Sequence, residues 1–216
     1  MSNFISKLLD HNQPIESSPE RISLVITNLE TARFLCKRNI DTGEKITEEE
    51  VKIHTFLFEK GLYYSFFSGI LCYLVFLEQL GQIFKFSSTN KNPIYKVLDQ
   101  YNNTADEKEN YALVGLRNAL AHNGGLINKN DKYPKSKKYK FIFSMEESEK
   151  IIELPKTGWD GKYSNKSEDC DTIIYVNNFI NLVEDIFRRV KEDAINRSLT
   201  SIDEQEIKTK FTIING

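Results

Sequence analysis

The stretch LRNALAHNGG, residues 116–125, sets Arg117, Asn118 and His122 directly before two glycines. An imidazole titrates near pH ~6.5, so it can take or give a proton at neutral pH. A guanidinium stays charged and meets phosphate or carboxylate oxygens with a fork of donors. An asparagine amide can donate and accept, and so can orient a neighbour. Together these types suit proton transfer beside a developing oxyanion. They suit a helix end equally well: Arg and His complement the negative pole of the dipole, and Asn-Gly-Gly is a stop signal. On a regular helix Asn118 and His122 lie about 40° apart, whereas Arg117 and His122 lie about 140° apart. Arg117 and His122 are therefore expected to converge only if the helix ends at His122, or if two chains place their copies face to face.

The elements that position this stretch read as mostly helical. Ser18-Pro19-Glu20 offers an N-cap and a first-turn proline, followed by Ile22, Ile26, Leu29, Ala32 and Leu35 at helical spacing. Thr47 and Glu50 form a capping box for a helix running, with a break near Gly61, to about residue 84. Within it LYYSFFSGILCYLVFL, residues 62–77, carries no charge over sixteen positions. A membrane span needs about 20 such residues, so a helix buried in a bundle is the expectation. SSTNKNP, residues 87–93, reads as a loop before a short helix from Pro93 to Tyr101. Thr104 and Glu107 make a second capping box, and Ala112, Leu113, Leu116, Ala119 and Leu120 form the apolar stripe of the motif helix.

Past the glycines the period changes to two. Tyr139, Phe141, Phe143 and Met145 alternate with mostly polar residues, with further strands expected over 151–154 and 172–176. The polar segment 155–171 between them reads as a mobile loop. A long amphipathic helix then covers 177–197, with Phe179, Ile180, Val183, Ile186, Phe187 and Val190 inward. The expectation is one domain over 1–216 and a mainly α fold. It has a loose N-terminus over 1–17, a small antiparallel β insertion over 129–172, and a short tail over 198–216.

Composition narrows the function. A formal net charge of −2 and a pI near 6.0 exclude a wholly basic nucleic-acid binder, so any such binding must use a local patch. Cys36, Cys72 and Cys170 are odd in number and far apart, which suits reduced thiols in a cytoplasmic setting. The sequence has no CxxC or His-x3-His spacing, so no structural zinc site is expected. The first residues, MSNFISKLLDHNQ, lack the pattern of a secretory signal.

LRNALAHNGG resembles the signature of the HEPN superfamily, whose helical domains carry Arg-x4–6-His, often with a polar residue straight after the arginine. The small-residue and leucine frame, with glycine following, agrees as well. The resemblance covers about ten residues and implies an HEPN-like helical bundle. It further implies a metal-independent endoribonuclease without a cofactor, working as a homodimer whose two motifs line one cleft. Many members belong to toxin–antitoxin or antiviral defence systems, so an antitoxin or nucleotidyltransferase partner is implied, and no membrane. On this resemblance His122 is assigned to acid/base work, Arg117 to phosphate stabilisation and Asn118 to orientation. The competing reading is a catalytically inactive HEPN-like module that binds a nucleotide, RNA or a partner protein.

A second feature lies just downstream. KNDKYPKSKKYK, residues 129–140, sets six lysines against one aspartate, with Tyr133 and Tyr139 interleaved. Lysines attract phosphates and tyrosines can stack on bases, so Lys129, Lys132, Tyr133, Lys135, Lys137 and Lys138 are candidate RNA contacts. A solvated loop is the plainer alternative. His54 reads as a core or helix-edge histidine, His11 as part of the loose N-terminus, and Trp159 as a side chain folded onto the bundle. Glu146, Glu147 and Glu149 read as solvated.

Overall fold

The computed structural model describes residues 3–11, 14–17, 20–47, 62–102, 106–129 and 138–214. It is about 52 % helical, with seven helices among the described residues. They are α1 Asn3–Leu8, α2 Leu24–Leu35, α3 Leu62–Ile83, α4 Pro93–Tyr101, α5 Glu107–Asn123, α6 Val176–Ile195 and α7 Glu204–Phe211.

Helix α3 is the axis of the core. Ile70, Tyr73, Leu74, Phe76, Leu77, Leu80 and Ile83 recur at three- and four-residue steps and are fully buried. Helices α2, α4, α5 and α6 pack around it. The stretch Ser65–Ile83 is long and apolar enough to cross a membrane by length and composition, but half of it is buried inside the fold, as in a core helix. Helix α4 begins and ends where the sequence places it, with the Asn92 side chain accepting from Tyr95 N and Pro93 opening the first turn. The expected inward residues of α6, from Phe179 to Val190, are all buried.

Several boundaries differ from expectation. Ser18 and Pro19 lie outside the described residues, and Glu20–Ser23 is strand β2 rather than the first helical turn. It is held extended on both sides, by β1 (Glu16–Ser17) and by β9 (Thr212–Ile214). Ladder hydrogen bonds thus override a local cap, and helix α2 starts behind Ser23, whose hydroxyl accepts from Ile26 N. Helix α5 is capped by Asp106 rather than Thr104, which lies outside the described residues together with Glu50, His54 and Gly61. The described part of the N-terminal segment packs against the core, as does the tail helix α7. Phe4, Ile5, Leu8 and Leu9 from the N-terminal segment and Ile207 and Phe211 from α7 belong to the core. Burying such side chains contributes about 1.5–3 kcal/mol each, which outweighs ordering a short segment.

The β insertion is mixed, not antiparallel. Strands β4 (Ile127–Asn128), β5 (Tyr139–Ser144), β6 (Ile152–Glu153) and β7 (Asp171–Tyr175) form one sheet in the order β4-β5-β7-β6. β5 and β7 pair in parallel, Phe141 opposite Thr172, while β6 runs antiparallel to β7. The crossover from β5 to β7 carries β6 and the segment 155–171, which brings the chain back in its original direction. That segment, read from sequence as mobile, is pinned: Trp159 and Cys170 are buried, and Thr157 N donates to Asp169 O at 3.0 Å. The remaining strands, β3 (Phe84–Lys85) and β8 (Thr200–Ser201), tie the end of α3 to the segment after α6.

Candidate functional site

Helix α5 turns Ala112, Leu113, Leu116, Ala119 and Leu120 into the core and leaves Arg117, Asn118 and His122 on its free side. Gly115 lets β5 approach this helix, because a Cβ there would sit 2.7 Å from the Tyr139 ring. The helix stops where the sequence indicates: Gly124 adopts φ +59, a left-handed conformation that glycine takes without strain, and its N–H donates to Ala119 O. His122 therefore occupies the last turn and is exposed.

Arg117 and His122 meet within one chain. The Arg117 Nη1 and His122 Nε2 atoms are 2.8 Å apart. This overturns the expectation that about 140° on an unbroken helix keeps them apart, since α5 stays regular to Asn123. The angular argument treated each side chain as a point on the helix surface. The long arginine arm instead reaches towards the helix end, where Glu78 of α3 fixes its head group. Arg117 Nε and Nη2 both donate to Glu78 Oε2, at 2.9 and 2.7 Å. The ion pair is about one-fifth exposed on each side, 20 % for Arg117 and 22 % for Glu78.

The protonation pattern follows from the donors. A guanidinium carries no acceptor, so Nε2 of His122 presents its lone pair to Arg117, and the ring proton resides on Nδ1. Asn118 is half-buried, and its amide makes no hydrogen bond to a described residue. The site thus combines an imidazole with an accessible ring, a guanidinium clamped by a carboxylate, and a spare amide one turn away. Sequence reasoning missed Glu78. Its signal was the lone carboxylate that closes a sixteen-residue uncharged run on a core helix, where a charge needs a partner.

The basic segment is described in part. Lys132, Tyr133, Lys135 and Lys137 lie outside the described residues. Lys129 and Lys138 converge on the loop 155–171: a Cβ at Gly161 would lie 3.0 Å from Lys138 Nζ and 3.4 Å from Lys129 Cε. The Lys129 ammonium sits 5.8 Å over the ring of Tyr163, which is 71 % exposed and which sequence reasoning also missed. Tyr139 cannot stack on a base. It is buried against Gly115 and stacked on Phe141, its hydroxyl has no hydrogen-bond partner among the described residues, and burial pushes its ionisation up to about 12. Trp159 folds inward, donating from Nε1 to Lys162 O.

A second Arg–His pair proves structural. Arg33, 2 % exposed, directs Nε and Nη2 at the two oxygens of Glu184, and Nη1 at His11 Nε2, Ile40 O and Asp41 O. His11 Nδ1 donates to Glu30, so the histidine expected in a loose terminus clips that terminus to α2. Every nitrogen of Arg33 is used by the protein, which leaves nothing for a ligand. All three cysteines are free thiols, and among the described residues no three His, Cys, Asp or Glu side chains are grouped to hold a metal ion. Compared with known proteins, the chain matches no family model, no curated protein and no solved structure.

Proposed function

We propose that the chain is an endoribonuclease of the HEPN type, with an HEPN-like bundle built on α3–α6, cleaving RNA by attack of its own 2′-OH without a metal ion. The observation that carries this reading is the 2.8 Å approach of Arg117 to His122 with Glu78 behind it. A helix cap has no use for a carboxylate from another helix that orients the arginine towards the histidine.

In the proposed reaction the lone pair on His122 Nε2 takes the 2′-OH proton, the O2′–P bond forms and the P–O5′ bond breaks. Arg117 transfers its Nη1 hydrogen bond from the imidazole to a phosphorane oxygen, so the charge that builds there is met by a fixed donor. Glu78 keeps the guanidinium from following the substrate out of place. Asn118 orients the ribose or the phosphate. The leaving O5′ needs a proton, and one chain offers one histidine at this site. We assign that donor to the His122 of a second chain, which makes the proposed homodimer a source of the acid, not a device for bringing arginine to histidine. Lys129, Lys138 and Tyr163 form the adjoining surface for the RNA strand. The motif's usual setting makes a toxin or phage-defence effector, with an antitoxin or nucleotidyltransferase partner, the corresponding biological role.

The test is product chemistry. Single-stranded RNA incubated with the protein in EDTA should yield 2′,3′-cyclic phosphate ends, and DNA of the same sequence should resist because it lacks the attacking hydroxyl. Cleavage of DNA, or activity that EDTA abolishes, contradicts the mechanism. Binding of RNA or a nucleotide with no cleavage favours the catalytically inactive module.

A further inference from the structure

Arg38 follows the end of α2 and is 8 % exposed. Buried guanidinium groups are normally neutralised, as Arg33 is by Glu184. Arg38 has no carboxylate within ion-pair distance among the described residues, and its hydrogen bonding amounts to one long contact, 3.4 Å from Nη1 to Gly43 O. Its backbone bridges to Lys45 across a tight turn, which sets the two cations side by side. Both side chains line a cleft of about 390 Å³, within the range of small-ligand sites.

The opposite wall of that cleft is the start of α6, through Asn177 and Asn181. The N-cap position of this twenty-residue helix, Tyr175, supplies no side-chain cap, so among the described residues no side chain hydrogen-bonds to its first-turn amides at the positive end of its dipole. Asn178 is engaged elsewhere, donating to Ser148 O and Lys150 O, and thereby anchors the turn that closes the cleft. Glu146 and Glu147 stand exposed on that turn, and neither pairs with Arg38 or Lys45. The cleft therefore offers two cations with no ion-pair partner among the described residues, the two carboxylates of the turn, two amides and a helix start.

We propose that this cleft binds a phosphate group, held by Arg38 and Lys45 and by the amide groups of Asn177, Asn181 and the first turn of α6. The site is separate from the Arg117–His122 pair and does not depend on its reading. Cys36, two residues before Arg38, abuts Gly69 of α3. Glu78 lies nine residues further along that helix, a rise of about 13 Å. The ligand is either free phosphate or the phosphate of a small organic ester such as a nucleotide.

The experiment is thermal unfolding of the full chain in rising inorganic phosphate, and separately in adenosine 5′-monophosphate, at ionic strength matched with chloride. A saturable rise in Tm of a few degrees is expected. Lys45→Gln and Asn181→Asp alter exposed positions and should each raise the half-saturating concentration about tenfold. Arg38→Met should abolish the response, and if it fails to fold the two exposed variants decide. Tighter binding of the nucleotide assigns an organic ester and the reverse assigns free phosphate; both uphold the site. The proposal falls if phosphate acts no better than chloride, or if both exposed variants respond like the parent. It also falls if His122→Ala loses the response while Asn181→Asp keeps it, which places the anion on α5.

Discussion

Replacing Glu78 by alanine leaves the Arg117 guanidinium with His122 as its remaining partner among the described residues. Exposed ion pairs contribute about 0–1 kcal/mol, and breaking a fully buried one costs about 3–5 kcal/mol. With both partners about one-fifth exposed, Glu78→Ala lies between these limits, at roughly 1–3 kcal/mol. For a chain of this size each kcal/mol lowers Tm by about 2–4 °C, so a fall of roughly 2–12 °C is expected. The catalytic effect is separate. A guanidinium freed from its clamp shifts by on the order of 1 Å, and such a misplacement can cost up to about 10²-fold in rate. We therefore expect kcat on single-stranded RNA to drop about 10- to 100-fold, with KM changed far less, because Glu78 acts through Arg117 and does not touch RNA. Glu78→Gln keeps a carbonyl acceptor and should fall between alanine and the parent. Initial rates in EDTA, paired with melting curves, measure both effects. A lowered Tm with parental kcat would refute the positioning role and leave Glu78 as a structural partner only. A rise in KM at constant kcat would refute it too, by making the contact one of uniform binding.

The other predictions concern the surroundings. Glu184→Ala strands the buried Arg33 charge and should cost about 3–5 kcal/mol, or roughly 6–20 °C in Tm, without altering RNA cleavage; an unchanged Tm contradicts the clamp. Tyr139→Phe removes a buried hydroxyl that has no partner among the described residues, and should stabilise the fold by about 1 kcal/mol in denaturant titrations while leaving RNA binding intact. Burial raises the ionisation of Tyr139 from 10.0 to about 12, so its contribution is complete below pH 10 and is lost as pH climbs towards 12. The phenylalanine variant should accordingly show a flatter alkaline limb, and an identical limb would argue against burial. Tyr163→Ala, at an exposed position, should weaken RNA binding by about 1–3 kcal/mol in a fluorescence anisotropy titration and leave Tm unchanged. Unaltered affinity would remove Tyr163 from the RNA surface.

Local signals were readable from sequence and long-range ones were not. Asn92-Pro93 and Asn123-Gly124-Gly125 act within one turn of chain, and the helices they bound start and stop as read. The apolar stripe of α6 was equally legible, because a single face sets its burial. Period-two alternation located β5, and further strands were expected over 151–154 and 172–176, but such signals carry no information on direction, so the parallel pairing of β5 with β7 was invisible. Ser18-Pro19-Glu20 signals a helix locally, yet β2 pairs with a strand from the far end of the chain, where Arg21 meets Thr212 across 191 positions. The candidate site divides the same way. Arg117, Asn118 and His122 stand together in ten residues, whereas Glu78 arrives from 39 positions away and no local pattern connects it. His11 looked idle because its partners, Glu30 and Arg33, lie about twenty positions away on α2.

The most direct measurement is the single-turnover rate of RNA cleavage in EDTA for the parent chain, His122→Ala and Arg117→Ala, each with its melting curve. If the Arg117–His122 pair performs the chemistry, loss of the imidazole should slow cleavage about 10²–10⁴-fold and loss of the guanidinium about 10²–10³-fold. The exposed His122 should leave Tm almost unchanged on replacement. Parental cleavage by His122→Ala, or no cleavage by the parent with a large fall in the Tm of His122→Ala, would contradict the account and reduce the motif to the end of a helix.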